Sequence, residues 1–299
     1  MQHITVLEHE AVDLLGLKKD SVVVDCTLGS GGHAKYIQTI LGEKGHYIGI
    51  DADPTAITAN EELKNSSVAK VTLLKANFRD IDQVLLTAGE SEVDAILADL
   101  GWRMEQFSGS TDLPRGFSFQ SDEPLHMTFG EPSSHPFTAY DIVNDWAEED
   151  IANVIYAYGG EGFSRRIATA IVAARKNSPI ERASQLAEIV EESVPAFYRR
   201  QKTHPATKTF QGLRIAVNDE LDALSELISK GFSSLKSGGR LAIITFHSLE
   251  DRIVKHSYRN LVSDQKAVLV NKKPIVPSPE ELSTNPRSRS AKLRVIEKN

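Results

Sequence analysis

The chain has 299 residues, of which 40% are hydrophobic and 25% are charged. This composition excludes wholesale disorder and suffices for one large or two medium-sized hydrophobic cores. A net charge of -7 argues against indiscriminate nucleic-acid binding. The single cysteine, Cys26, excludes an intrachain disulfide and favours a reducing, cytoplasmic compartment. No apolar run approaches the roughly 20 residues that cross a membrane, so no membrane association is expected.

Short apolar runs alternate with helical patterns in the first third of the chain. Strands are predicted at residues 21–25, 46–51, 71–74 and 93–99, with helices at 34–41 and 54–63. Strands that alternate with helices are typical of a parallel, doubly wound sheet. The fold class predicted for this part is therefore α/β, with a Rossmann-like, parallel-type twisted sheet.

The alternation stops after the fourth strand. A polar loop covers residues 103–127, and helical spacing dominates residues 139–197. A long helix at 209–235 and a strand at 240–246 then resume the first pattern. The simplest prediction is one α/β domain, residues 1–102 and 206–299, interrupted by an all-helical insertion at residues 103–205.

A glycine-rich loop joins the first predicted strand to the first helix. Gly31, Gly32 and His33 lie where a backbone can approach a ligand and where a helix N-terminus offers N–H groups. Asp51 ends the next strand, at the position where a carboxylate accepts the ribose hydroxyls of a nucleotide. This order of elements predicts a nucleoside-containing cofactor.

The glycine spacing alone does not choose the cofactor, because it also fits the dinucleotide fingerprint of an NAD-dependent oxidoreductase. Asp25, directly before the loop, would repel a pyrophosphate but can face the cationic amino-acid end of S-adenosylmethionine. Phe78 and Asp99 follow the third and fourth strands and add groups at the carboxyl edge of the sheet. These residues favour S-adenosylmethionine.

Several longer strings then resemble the ribosomal RNA small subunit methyltransferase H family, which makes N4-methylcytidine in bacterial 16S rRNA. The resemblance covers nearly the whole chain. The strings that carry it are residues 25–33, 50–54, 99–101, 115–119, 158–159, 204–207, 210–211, 213–220, 238–241, 246–255 and 285–294.

The resemblance implies a class I methyltransferase domain with a helical insertion that recognises the substrate, and it implies 16S rRNA within the small ribosomal subunit as partner. The cofactor contacts that it implies fall on Gly31, Gly32, His33, Asp51, Phe78, Asp99 and Gln106.

Three segments depart from the family pattern. Trp102-Arg103-Met104 replaces a valine and two serines, and Pro124 to Thr128 has His126 and Thr128 in place of an aspartate and an arginine. Gly160-Glu161-Gly162 replaces two glutamates and an arginine. These segments lie near the expected substrate side, so they bear on the nucleotide and the rate rather than on the cofactor.

Asp99 is the candidate catalytic residue, because transfer to a weakly nucleophilic amine needs an acceptor that orients it. The alternative is a strand-end carboxylate that holds cofactor or caps a turn. Trp102 is a candidate for stacking on an extruded base, and His204 and His247 for contacting RNA, although packed or hydrogen-bonded structural roles compete for all three.

Ser248 and Asp251 match a helix capping box, an interpretation that we prefer to a hydrolytic triad with His247. No cysteine–histidine cluster predicts a metal site.

Two basic segments predict phosphate contacts: residues 199–208, and a tail that contains Arg287 and Arg289. A solvated strand edge is the alternative for the tail. The leading function is an S-adenosylmethionine-dependent rRNA cytidine-N4 methyltransferase. The alternatives are a methyltransferase for another substrate, such as protein or DNA, and a ribosome-assembly binding protein that keeps the fold but has lost turnover.

Overall fold

The computed structural model describes residues 4–101, 114–119 and 122–299. The chain divides into two compact units, Met1–Gly101 with Leu221–Asn299, and Trp102–Glu220. The second unit runs to Glu220 rather than ending at residue 205 as predicted, because the helix Ala206–Asn218 packs on helices of that unit. Among the described residues, no helix has both the length and the apolar character of a membrane span.

The α/β unit contains a seven-stranded sheet, which confirms the predicted fold class. Its strands are β1 (Val22–Asp25), β2 (His46–Asp51), β3 (Lys70–Lys75), β4 (Val93–Asp99), β5 (Leu235–Thr245), β6 (Ala267–Leu269) and β7 (Lys292–Lys298). The order across the sheet is β3-β2-β1-β4-β5-β7-β6.

The first five strands are mutually parallel, whereas β7 runs antiparallel to both β5 and β6. The sequence analysis missed β6 and β7. The basic tail is therefore partly a strand inside the sheet, since Lys292 and Arg294 pair with residues of β5.

Helices cover both faces of this sheet and enclose two separate apolar clusters. The helices of this unit are α1 (Glu8–Asp13), α2 (Gly32–Ile40), α3 (Pro54–Ala59), α4 (Leu63–Ser66), α5 (Ile81–Ala88), α12 (Glu220–Ser234), α13 (Ser248–Ser263) and α14 (Pro279–Thr284). Strands β1, β2 and β4 are buried along almost their whole length, as expected for strands covered on both faces.

The helical unit contains α6 (Ala139–Asp145), α7 (Glu148–Ala157), α8 (Ser164–Arg175), α9 (Ala183–Ser193), α10 (Ala196–Arg199) and α11 (Ala206–Asn218). It has its own apolar core, to which α6 to α9 and α11 all contribute. Asn218 ties the preceding loop to α11, because its Oδ1 accepts the Phe129 N–H at 2.7 Å and its Nδ2 donates to the Met127 carbonyl at 2.7 Å.

Two segments that were each predicted as one helix form two helices in the structure. The prediction at 54–63 is divided into α3 and α4, and the prediction at 209–235 is divided into α11 and α12. The second break occurs at Asp219, whose φ of 50° is left-handed and stops the helical ladder. Aspartate is among the residues that tolerate this conformation, and no proline or glycine marks the break in the sequence.

The capping box of α13 lies one residue earlier than predicted. His247 is the N-cap, its Nδ1 accepts the Glu250 N–H at 3.3 Å, and Glu250 Oε2 accepts the His247 N–H at 3.2 Å. Asp251 instead joins α13 to β7. Arg294 Nε donates to its Oδ1 at 2.7 Å, and Lys292 Nζ donates to its Oδ2 at 3.3 Å.

Burial raises the pKa of Asp251, but the hydrogen bond and charge of Arg294, together with Lys292, outweigh burial and hold the pKa below its ordinary value. A lowered pKa stabilises the fold above the pKa of the unfolded chain, and this contribution is lost as the pH falls through the folded-state value.

We therefore expect Asp251→Asn to lower the free energy of unfolding of the α/β unit by about 1.5–3 kcal/mol at neutral pH, the range for hydrogen bonds to charged groups. The difference from wild type should shrink as the pH is lowered into the carboxylate range. Urea titrations at several pH values measure it. Asp264→Asn is the matched control, because Asp264 pairs with Lys266 on the exposed surface and should cost well under about 1 kcal/mol. Equal effects for the two variants would contradict the prediction.

Candidate cofactor and catalytic site

Three acids end three neighbouring strands at the carboxyl edge of the sheet: Asp25 on β1, Asp51 on β2 and Asp99 on β4. Asp25 is level with Gly49 on β2 and with Leu97 on β4. The central strand therefore ends two residues before each neighbour. This notch is the position where α/β folds bind nucleotide ligands.

The glycine loop fills the notch. The Leu28 N–H donates to the Ile50 carbonyl at 2.9 Å, and the Gly29 N–H donates to Asp51 Oδ2 at 2.9 Å. Gly31 is the N-cap of α2 with a φ of 77°, and a β-carbon there would overlap Asn60 Oδ1. Asn60 Nδ2 in turn donates to the Gly29 carbonyl at 3.0 Å. Glycine is thus required at position 31 by both backbone conformation and space.

Asp51 is held in one orientation by the backbone. Its Oδ1 accepts the Asp53 N–H at 2.8 Å, while Oδ2 accepts the Gly29 N–H. A carboxylate oxygen can accept more than one hydrogen bond, so these two backbone bonds do not by themselves prevent Asp51 from binding a diol. The predicted ribose contact suits this fixed carboxylate.

Asp25 is almost completely buried. Tyr47 donates to its Oδ2 at 2.8 Å, and the Thr27 N–H donates to its Oδ1 at 3.1 Å. Burial raises its pKa to about 6, in spite of these two hydrogen bonds, and the nearby Asp51 charge adds to the rise. Its predicted attraction for the cationic end of the cofactor would therefore act through the electric field rather than through an exposed oxygen.

The remaining predicted cofactor residues lie around the loop, apart from Gln106, which lies outside the described residues together with Trp102. Gly32 and His33 open α2, where the first N–H groups have no acceptor within the helix. The His33 ring is buried with Nε2 at 3.2 Å from the Val6 carbonyl, so a cofactor contact would come from its backbone. Phe78 is half-buried against the core after β3.

Asp99 differs from Asp25 and Asp51 in its hydrogen bonding. Its N–H donates to Thr27 Oγ1 at 2.7 Å, which ties β4 to the start of the glycine loop. Its Oδ1 is buried and has no hydrogen-bond partner among the described residues. Burial raises its pKa well above the ordinary value, and the charges of Asp25, Glu250 and Glu281 raise it further. A buried carboxyl with a raised pKa is a stronger proton acceptor than an exposed one.

The predicted substrate residues are distributed over both units. In the α/β unit, His247 caps α13, and Arg287 and Arg289 are exposed on the turn Pro286–Ser290. In the helical unit, His204 stacks on Phe119 with ring centroids 4.4 Å apart, and its Nδ1 accepts the Ala206 N–H at 3.2 Å. Both histidines thus have structural partners, and their contact with substrate stays a prediction.

Sequence analysis missed the residues that position the site, namely Thr27, Tyr47, Asn60 and Glu250. Glu250 is buried and accepts the Phe246 and His247 N–H groups directly after β5. Its spacing of three residues from His247 was the available signal for the capping box. For Tyr47 and Asn60 no local pattern exists, because their partners are 22 and 31 residues away in the chain.

Two of the three departures from the family pattern lie in described parts of the helical unit. The His126 Nδ1 atom is buried without a hydrogen-bond partner among the described residues, and burial lowers the pKa of this ring. Thr128 is fully buried and donates to the Gly130 carbonyl at 2.9 Å. Glu161 is also fully buried, and its Oε2 accepts from the Tyr198 hydroxyl at 2.5 Å.

The sheet order, the notch and its acids define a Rossmann-like methyltransferase domain. The chain belongs to the MraW methylase family, whose model matches residues 1–299. It is 45% identical to a ribosomal RNA small subunit methyltransferase H from Brevibacillus brevis, over 99% of this chain and 98% of that protein. It is 44% identical to the protein of the same name from Paenibacillus sp., over 99% of both chains.

Among solved structures, an rRNA methylase from Streptococcus thermophilus matches with a TM-score of 0.46 and 12% identity over 99% of both chains, which is too distant to add to the assignment. Membership of a methylase family confirms the predicted family, the enzymatic class and S-adenosylmethionine as cofactor. The individual contacts remain predictions.

Asp51→Ala should weaken S-adenosylhomocysteine binding about 10- to 150-fold, which corresponds to the roughly 1.5–3 kcal/mol of hydrogen bonds to a charged group. Titration calorimetry measures this, with NAD as a ligand that should give no signal. Asp51→Asn keeps one acceptor and should lie in between. Glu43→Ala, in the loop that precedes β2, is the control. An unchanged dissociation constant for Asp51→Ala would remove Asp51 as the ribose acid.

Asp99→Asn should reduce methyl transfer about 10²- to 10⁴-fold, the usual range for loss of an acid–base group, while the fold is kept. Because only the ionised carboxylate accepts a proton, the wild-type rate should fall as the pH is lowered through the raised pKa, above the ordinary carboxylate range. Asp25, with a pKa of about 6, titrates nearby. The Asp99→Asn profile, compared with that of Asp25→Asn, separates the two. Wild-type turnover in Asp99→Asn would exclude Asp99 from the mechanism.

Proposed function

We propose that this protein transfers a methyl group from S-adenosylmethionine to the N4 amine of a cytidine in 16S rRNA of the small ribosomal subunit. The observation that carries the proposal is the position of Asp99. Its Oδ1 is buried and has no hydrogen-bond partner among the described residues, and Asp99 ends the strand beside the one that leads into the glycine loop.

The exocyclic amine of cytosine is a weak nucleophile because its lone pair is delocalised into the ring. When bound, the cofactor supplies an electrophilic methyl group on a sulfonium, and the new N–C bond forms as the S–C bond breaks. In the proposed mechanism Asp51 and the N–H groups of the glycine loop bind and orient the nucleoside part. Asp99 accepts a hydrogen bond from the amine and then takes the proton that the amine loses. Alignment of this kind lowers barriers by up to roughly 7–11 kcal/mol in ideal cases.

The choice of substrate rests on the relatives and on the family resemblance. The similar proteins carry the name ribosomal RNA small subunit methyltransferase H, which supports an rRNA substrate. The cytidine and its N4 atom come from the family resemblance, which covers nearly the whole chain. A cytoplasmic location belongs to the same proposal.

A binding protein without turnover is the second candidate, and His126 favours it. The family has an aspartate here, whereas this chain has a partly buried neutral ring in its place. Mass spectrometry of 16S rRNA digests from cells with and without the gene separates the two candidates. The loss of one N4-methylcytidine supports the enzyme, and unchanged methylation together with altered subunit assembly supports the binding protein.

We predict that assembled or nearly assembled small subunits are better substrates than naked RNA. A chain of net charge -7 gains little from non-specific counterion release, and the target base must leave its stack at a cost of a few kcal/mol. A shaped subunit that presents the base unpaired lowers that cost. Equal amounts of small subunits, deproteinised 16S rRNA and a short hairpin should be compared at matched salt by counting transferred methyl groups. Comparable rates on all three would contradict the prediction, and methylation of protein would contradict the RNA assignment.

A further inference from the structure

An exposed aromatic ring lies within a basic stretch of the helical unit that the proposed chemistry does not use. Phe197 on α10 is 65% exposed, although a phenylalanine usually buries most of its surface. Arg199, Arg200 and Lys202 follow it and are all exposed. From residue 195 to residue 218 the chain has no aspartate or glutamate, although acids exceed bases by 41 to 34 over the whole chain.

Buried contacts hold Phe197 and Tyr198 in place. The neighbouring Tyr198 donates its hydroxyl to Glu161, which is completely buried, and Glu161 Oε1 accepts the Phe163 N–H at 2.8 Å. The Phe163 ring lies edge-on to Tyr198, with centroids 5.0 Å apart, and to Phe197, with centroids 6.3 Å apart. A four-residue helix would not hold its position alone, so these contacts give α10 a defined orientation.

A cation from α11 also lies over one ring of the aromatic pair. Lys208 Nζ lies 5.9 Å from the centroid of the Tyr198 ring, within the range of a cation–π contact. Two acids are paired in this region. Glu191, on α9, lies 3.8 Å from His204 Nε2, and the buried Glu161 accepts the Tyr198 hydroxyl. The exposed charge that follows Phe197 is therefore positive.

We propose that α10 and the residues that follow it form a stacking platform for an unpaired segment of RNA, with one base on the Phe197 ring and the adjacent phosphates on Arg199, Arg200 and Lys202. This inference rests on the proposed function for the identity of the RNA. Flat aromatic rings flanked by cations are how proteins bind single strands without reading their sequence, because every base has a π-face. The platform adds local affinity that the overall charge of the protein does not provide.

Two readouts on the full-length protein test the two halves of the platform. Binding of a fluorescent, unstructured oligoribonucleotide is measured by anisotropy over a series of salt concentrations. Phe197→Leu keeps an apolar side chain but loses the π-face, so it should weaken binding about 5- to 10-fold with the salt dependence unchanged. Phe197→Trp should bind at least as tightly as wild type. Arg200→Gln should reduce the slope of log K against log salt by about 0.7, the value for one phosphate contact on a single strand.

Leu86→Ala is the control, because Leu86 is a 69%-exposed apolar residue of the α/β unit and should bind RNA as wild type does. Equal affinity of Phe197→Leu and wild type would overturn the proposal. So would weakened binding in both Phe197→Leu and Phe197→Trp, because the loss of affinity would then not follow the loss of the π-face. Methyl transfer to small subunits is scored separately. If wild type binds the oligoribonucleotide through Phe197 but no cytidine is methylated, the proposed reaction fails while the platform stands.

Discussion

The early end of β1 is the constraint on which the site depends. Because this central strand stops two residues before β2 and β4, its chain has to turn over the sheet edge between two longer neighbours. The loop closes there by donating backbone N–H groups to Ile50 and Asp51, and Asn60 holds it from the side. The same hydrogen bonds therefore determine where the loop lies and which way the Asp51 carboxylate faces.

Thr27 forms hydrogen bonds to two of the three acids at this edge. Its N–H donates to Asp25 and its hydroxyl accepts the Asp99 N–H, so one residue joins the ends of β1 and β4. The two acids are consequently close enough for the Asp25 charge to raise the pKa of Asp99. The proton affinity of the candidate catalytic carboxyl is thus linked to the loop that is proposed to hold the cofactor.

Much of the α/β unit could be predicted from sequence because its central strands are buried on both faces. Strands β2 and β4 have the predicted bounds, since each is a mainly apolar run that ends in an aspartate. Strand β7 was missed because Arg294 separates its buried Leu293 and Val295, and charged residues at both ends of the strand add to the likeness to a basic surface patch. The helix break at Asp219 was missed because aspartate adopts the left-handed conformation without the glycine signal.

Some residues of the candidate site could be predicted from sequence and others could not. Asp25, Asp51 and Asp99 were predictable because the ends of parallel strands lie at one edge by topology alone. The partners that set their protonation, such as Tyr47 and Glu281, come from distant parts of the chain, and only the fold brings them together. The capping role of His247 had a local signal in the spacing of Glu250, but Ser248 and Asp251 have the same spacing, and only the structure shows which pair caps the helix.

The order of strands also bears on how the protein behaves at high concentration. The two borders of the sheet are β3 and β6, and an open border strand can recruit a strand from another molecule. Strand β6 has only three residues, and β3 begins and ends with a lysine. A short border and a border flanked by positive charges both disfavour growth of the sheet from one molecule to the next. The fold therefore disfavours aggregation at the two borders, where any open sheet is most exposed to it.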